Sequence, residues 1–219
     1  MKKFLLLASV MFLLVVSSQS AMALMTFSGS LSTPDGIFAT EPWMTEGMII
    51  NWEISQNADM TWDYHYWFRN YAGGSPTKAI SHMVVAISPN ATLRDFWDAS
   101  GPLEIQTWSG SDPSNPGMPS DLYGLKIDIS DDDYFFTSTK APVWGDFYIK
   151  DGTLDQNPIY AYNSTFGTPD PLDGPSNGSL NFKILRPDST SIPVPEPSSM
   201  LLLGSVLALA GGVSRFRRK

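Results

Sequence analysis

Residues 47–54, GMIINWEI, and residues 61–68, TWDYHYWF, decide the fold. In the first run Met48, Ile50, Trp52 and Ile54 alternate with Asn51 and Glu53. In the second, Trp62, Tyr64, Tyr66 and Phe68 alternate with Asp63, His65, Trp67 and Arg69. Successive side chains of an extended chain point to opposite faces, so a period of two puts each apolar set on one face. Residues 55–60 between the runs are turn-like, and the pair predicts a β-hairpin with an aromatic buried side. No long run of helical period interrupts the body of the chain.

Outward from the hairpin the same pattern repeats. Residues 26–31 predict an opening strand, and 82–88 (HMVVAIS) a buried β-branched one. Further strands are predicted at 103–108, 122–129, 134–137, 142–149, 159–166 and 180–185, with an Asp-Gly turn at 151–152 closing the strand before it. Thr92 and Asp95 have the spacing of a helix start, with Phe96 and Trp97 seating one short helical turn on the core. Between the strands lie Gly, Pro, Asn and Asp clusters. One of them, 109–120 (SGSDPSNPGMPS), is longer than most connections and is either mobile or functional. Short strands at this spacing predict an all-β fold, an antiparallel β-sandwich or jelly-roll-like domain.

The two ends of the chain read differently. Lys2 and Lys3, an apolar run at 4–16 and the small-x-small step Ala21-Met22-Ala23 predict a signal peptide at 1–23, cut by signal peptidase after Ala23. The passenger domain then covers 24–186, and a Pro/Ser/Thr stalk covers 187–193. From 194 to 219 come Pro195-Glu196-Pro197, a run at 197–214 without a charge, and a basic tail at 215–219. As a helix, 18 residues at ~1.5 Å each reach about 27 Å, close to the hydrocarbon thickness of a bilayer. A transmembrane helix at 198–214 follows. Arg215, Arg217, Arg218 and Lys219 act as the stop and favour a cytoplasmic C-terminus with the body outside. Pro195 and Pro197 keep the preceding segment extended.

Pro-Glu-Pro, apolar span and basic tail, in that order, resemble the PEP-CTERM sorting signal of exopolysaccharide-making Gram-negative bacteria. The resemblance implies a membrane-embedded exosortase as partner, a cysteine-dependent transpeptidase-like enzyme. It recognises Pro195, Glu196 and Pro197, cuts near them, and releases or transfers the passenger. On this likeness the protein is anchored in the inner membrane in transit, before the cut, and ends at the cell surface or in the extracellular matrix. A plain, uncleaved C-terminal anchor is the alternative. The body more loosely resembles an unnamed domain of other PEP-CTERM proteins, through 62–68, 80–82 (ISH), 145–152 (GDFYIKDG) and 175–180 (PSNGSL). That likeness implies an exported passenger with no established activity and supplies no catalytic residues.

Charge and composition narrow the function. The whole chain carries −8, and removing both ends leaves eight basic and 21 acidic side chains, a formal charge of −13. Phosphate-driven nucleic-acid binding needs the opposite sign. With no cysteine, disulfides and thiolate metal sites are excluded. His65 and His82 are the only histidines, too few for a zinc site without cysteine. Asp128, Asp131, Asp132 and Asp133 cluster at a strand end, where a structural calcium ion is the one cofactor suggested; a solvated acidic turn is the plainer reading. Trp67 and Trp108, with Asp63, are candidate carbohydrate contacts, and Trp97 also flanks a loop. Aromatics packed between two sheets are the commoner use. No nucleophile-elbow, metalloprotease or phosphate-loop motif is present. The expectation is a non-catalytic surface or matrix protein associated with exopolysaccharide. A carbohydrate-binding module and a secreted hydrolase stay open as alternatives.

Overall fold

The structure, a computed structural model, describes residues 24–188. The expected signal peptide, membrane span and Pro-Glu-Pro motif lie outside them. Among the described residues no helix is long and apolar enough to cross a membrane.

The elements in chain order are β1 (Thr26–Ser32), β2 (Ile37–Ala39), a short helix α1 (Trp43–Glu46), β3 (Met48–Gln56), β4 (Trp62–Asn70) and β5 (His82–Ala86). A 3-10 turn (Leu93–Asp95) leads into β6 (Phe96–Trp97), β7 (Leu103–Trp108), β8 (Leu122–Ile127) and β9 (Asp133–Ser138). The last strands are β10 (Pro142–Gly145), β11 (Phe147–Leu154), β12 (Asn157–Asn163) and β13 (Ile184–Pro187). Two large antiparallel sheets form a sandwich, one ordered β1-β3-β4-β9-β6 and the other β2-β12-β11-β5-β8-β7, with β10 and β13 pairing as a third, two-stranded sheet.

The founding hairpin forms as its alternation dictates. β3 and β4 pair with Ile50 opposite Phe68, Trp52 opposite Tyr66 and Ile54 opposite Tyr64, and all six side chains are buried. Across the core Met83, Val85, Leu125, Ile127, Phe147 and Ile149 from the six-stranded sheet meet them in one apolar cluster. Tyr64 lies parallel to Phe136 at 5.0 Å between ring centres, and Phe68 meets Tyr134 edge-on at 6.0 Å, geometries that suit the ring quadrupoles. Burying three tyrosines requires partners for their hydroxyls. Tyr64 donates to the Lys140 carbonyl (2.7 Å), Tyr66 to that of Leu185 (2.9 Å) and Tyr134 to that of Ile80 (3.0 Å). Burial pushes the Tyr64 and Tyr66 phenols well above their ordinary value, so they remain donors.

Several local expectations are corrected. Residues 142–149 are not one strand: the chain changes sheets at Asp146, whose carboxylate accepts from the Asn163 amide (2.7 Å), Lys183 (2.6 Å) and the Gly167 backbone (3.0 Å). Asp151-Gly152 is not a turn. β11 runs on through a bulge between Lys150 and Thr153, and the chain reverses at Asp155 and Gln156, both with positive φ. Thr92 and Asp95 do form a capping box, but Phe96 and Trp97 after it continue as the short strand β6 beside β9. Residues 180–183 form a bridged turn, so the last strand starts later, at Ile184. Pro187, expected to open the stalk, pairs with Pro142 and is buried.

Candidate functional site

The outward face of β4 carries Asp63, His65 and Trp67 side by side. His65 Nε2 and Asp133 Oδ1 lie 2.5 Å apart, and the Trp67 ring packs on the His65 ring at 4.8 Å. Trp67 is half-buried by this contact. Asp63 is exposed; its Oδ1 accepts from Asn57 Nδ2 (2.9 Å) and Thr137 Oγ1 (2.8 Å). Thr137 pairs with Asp63 on one side and with Trp97 on the other, so Asp63 and Trp97 share one shallow groove. Asn57, Ala58, Asp59, Thr61 and Asp98 complete its lining, around a volume of about 520 Å³. Sequence reading named Asp63 and Trp97 separately. Thr137 of β9, which brings them together, is 40 residues further along the chain than Trp97, and no local signal shows it.

The four carboxylates of the acidic turn go to separate partners. Asp132 pairs with Arg69 (2.6 Å), Asp133 with His65, and Asp128 with Lys126 (2.8 Å). Asp131 instead accepts from the Asp132 backbone at 2.7 Å. Each carboxylate therefore has its own local partner, and among the described residues no group of three or more such side chains could hold a metal ion. The hydrogen bond from Lys126 holds the Asp128 carboxyl below its ordinary value.

Trp108, expected beside a loop as an exposed ring, is buried on the outer face of the six-stranded sheet. Its Nε1 donates to the Gly124 carbonyl at 3.1 Å, and Lys126 Nζ sits 5.5 Å from the ring centre. The physical reason is the long loop 109–120, which folds back over that face. Tyr148 Oη donates to the Pro116 carbonyl (2.8 Å) and Lys150 Nζ to that of Ser114 (2.6 Å), while Asp121 receives Ser109 Oγ (2.8 Å) and Gly110 N (3.0 Å). Met118, Trp108, Val84, Leu122, Tyr148 and Phe166 form a second small core beneath it. Tyr160 and Tyr162 pack against this core and stand next to Phe38 of β2, a cluster the sequence reading passed over.

Near the C-terminal end of the described chain lies a buried ionic cluster. Lys183 is fully buried; its ammonium reaches Asp146 (2.6 Å), the carbonyls of Thr165 (3.0 Å) and Thr168 (2.9 Å), and Asp170 at 3.4 Å. Arg186 bridges Asp170 (2.8 Å) and Asp188 (3.2 Å). These bonds tie the 165–170 loop and β13 to the break between β10 and β11. The second histidine, His82, is buried at the start of β5 with its Nε2 unpartnered by protein atoms. Burial, helped by Lys126 and Lys150, lowers its pKa to about 4, so it packs as a neutral ring.

The family described as the PEP-CTERM protein-sorting motif matches residues 193–219. The matched motif implies an exported protein sorted at a membrane by an exosortase, and Pro195, Glu196 and Pro197 lie inside the matched segment. What this signal carries is the β-sandwich described above. No curated protein and no solved structure matches the chain.

Proposed function

We propose that the protein is a non-catalytic component of the cell surface or extracellular matrix of a Gram-negative bacterium, associated there with exopolysaccharide. The observation that carries this reading is the sorting motif at 193–219, joined to a body whose polar interior is committed to architecture. Lys183, Asp146 and Asn163 fasten loops, the core tyrosines bond to backbone carbonyls, and His82 is a packed neutral ring. The charge of −13 on the exported body supports a solvated, self-repelling surface protein. Pro195-Glu196-Pro197 act as the recognition element, the apolar segment holds the chain in the inner membrane in transit, and cleavage near the motif frees or transfers the sandwich.

The test is the intact mass of the protein recovered from its host's surface, beside a variant with Pro195, Glu196 and Pro197 all changed to Ala. The expected result is a wild-type chain beginning near Leu24 and ending near Pro197, with the variant retained uncut in the membrane. Any mass beyond that chain reports what the passenger is joined to. A surface-recovered chain still ending at Lys219 would make the tail a plain anchor and overturn the processing step.

A further inference from the structure

The outer face of the six-stranded sheet carries a row of rings that the 109–120 loop covers only in part. Phe38 on β2 pairs with Tyr162 on β12, which pairs in turn with Tyr148 on β11. The Phe38 and Tyr162 rings lie 4.9 Å apart and 18° from parallel, and Tyr160 and Tyr162 lie 6.3 Å apart and 8° from parallel. Gly117, at φ +68°, brings the loop backbone down on one side of Tyr160, where an added Cβ would stand 1.9 Å from the ring. The row is therefore covered at its Tyr148 end and open at Phe38, which is 40% exposed. Tyr160 also lines a cavity of about 420 Å³ at the edge of the same sheet, together with Thr40, Glu41, Asp155, Asn157 and Pro158. Apolar rings in file, continuous with carboxylate, amide and hydroxyl groups, are the composition of a site for a ligand with one apolar face and many hydroxyl groups.

We propose that Phe38, Tyr162 and Tyr160, with the adjoining Glu41–Asp155–Asn157 cavity, form a binding platform for an uncharged polysaccharide chain. A pyranose ring offers C–H faces to the aromatic row and hydroxyl donors to the two carboxylates. Charge selects among glycans: the platform rings carry none, Glu41 and Asp155 flank them, and a body of −13 repels polyanions. Charge and size also argue against a second copy of the chain, since two such bodies repel. Three partly covered side chains fall far short of the roughly 800 Å² per partner of a stable interface. The inference deepens the exopolysaccharide-associated reading and rests on it.

Native gel electrophoresis of the full-length chain in non-ionic detergent tests it, with hydroxyethylcellulose, dextran or galactomannan cast in the gel, and alginate as the anionic comparison. The wild type is expected to be retarded by at least one neutral polymer and not by alginate. Phe38→Ala and Tyr162→Ala weaken that retardation at least fivefold, whereas Tyr162→Phe and the groove variant Trp97→Ala leave it unchanged. Phe38 is half-exposed on a three-residue edge strand, so Phe38→Ala keeps the fold, which circular dichroism checks. Retardation that survives Phe38→Ala and Tyr162→Ala overturns the platform while leaving the polysaccharide reading in place, and loss in Trp97→Ala moves the site to the other sheet. Equal retardation by alginate overturns the choice of an uncharged chain. No retardation by any polymer overturns both the platform and the polysaccharide association.

Discussion

Replacing Lys183 with Met tests the energetic reading of the ionic cluster most directly. The ammonium is fully buried, makes its bonds to Asp146, Thr165 and Thr168 at 2.6, 3.0 and 2.9 Å, and has no access to water. Met occupies nearly the same length of chain, so the change removes charge and donors rather than volume. It leaves Asp146 as a buried carboxylate with only the Asn163 amide and the Gly167 N–H, and strips two carbonyls of a donor. Breaking a buried pair by removing one partner costs about 3–5 kcal/mol. For a body of this size each kcal/mol shifts the unfolding midpoint by about 2–4 °C, so the expected fall is on the order of 10 °C. Thermal unfolding followed by near-ultraviolet circular dichroism reads it, the buried tryptophans giving the signal. Asp146→Asn in the Lys183→Met background removes the stranded charge and is expected to recover part of the loss, a coupling that a double-mutant cycle isolates. A fall of less than about 2 °C in Lys183→Met would refute the reasoning, because the cluster would then be solvated in practice.

Two further outcomes follow from the same structure. His82 titrates near pH 4 when folded and near 6.5 when unfolded; the unfolded chain binds the extra proton in between, so stability is lost as pH falls from about 6.5 to 4, by up to about 3 kcal/mol. Urea unfolding across that range should show the slope, His82→Leu should flatten it, and an unchanged slope in the variant would assign it elsewhere; the pair-stabilised Asp128 loses its contribution only lower, below its ordinary 3.8. Gly29 lies against the Trp52 ring and the Gly178 carbonyl, where a Cβ would stand at 2.3 and 2.6 Å, so Gly29→Ala should destabilise by about 1–3 kcal/mol in the same denaturation assay, and a neutral result would mean that β1 shifts freely.

The parity of the sheets was written plainly in the chain. Where polar and apolar residues alternate, as in β3 and β4, every assignment of face was readable because a strand has only two faces. What was not readable depends on distant partners. The run PVWGDFYI is extended throughout, and only the bonds from Asn163 and Lys183 to Asp146 reveal that it changes sheets there. Trp108 looked exposed because it borders a Gly/Pro/Ser loop, yet the loop returns over it through bonds from Tyr148 and Lys150, more than 30 residues away. The four aspartates near 130 are close in sequence but turn to different partners: Lys126, Arg69 and His65 for three of them, and the backbone for Asp131. Phe38 sits in a three-residue strand, too short for any periodicity to register.

β13 ends at Pro187, six residues before the segment that matches the sorting motif. A body held by that end takes its load first through this four-residue strand, whose pairing with β10 alone is slight. Lys183 stands just before it and Arg186 within it, tied to Asp146 between two sheets, to Asp170 in the neighbouring loop and to Asp188 at the exit. A pull on the tether is thereby divided among three segments before it reaches the aromatic core. The cluster is a cleat: it lets the sandwich be hauled by one end without being unravelled from it.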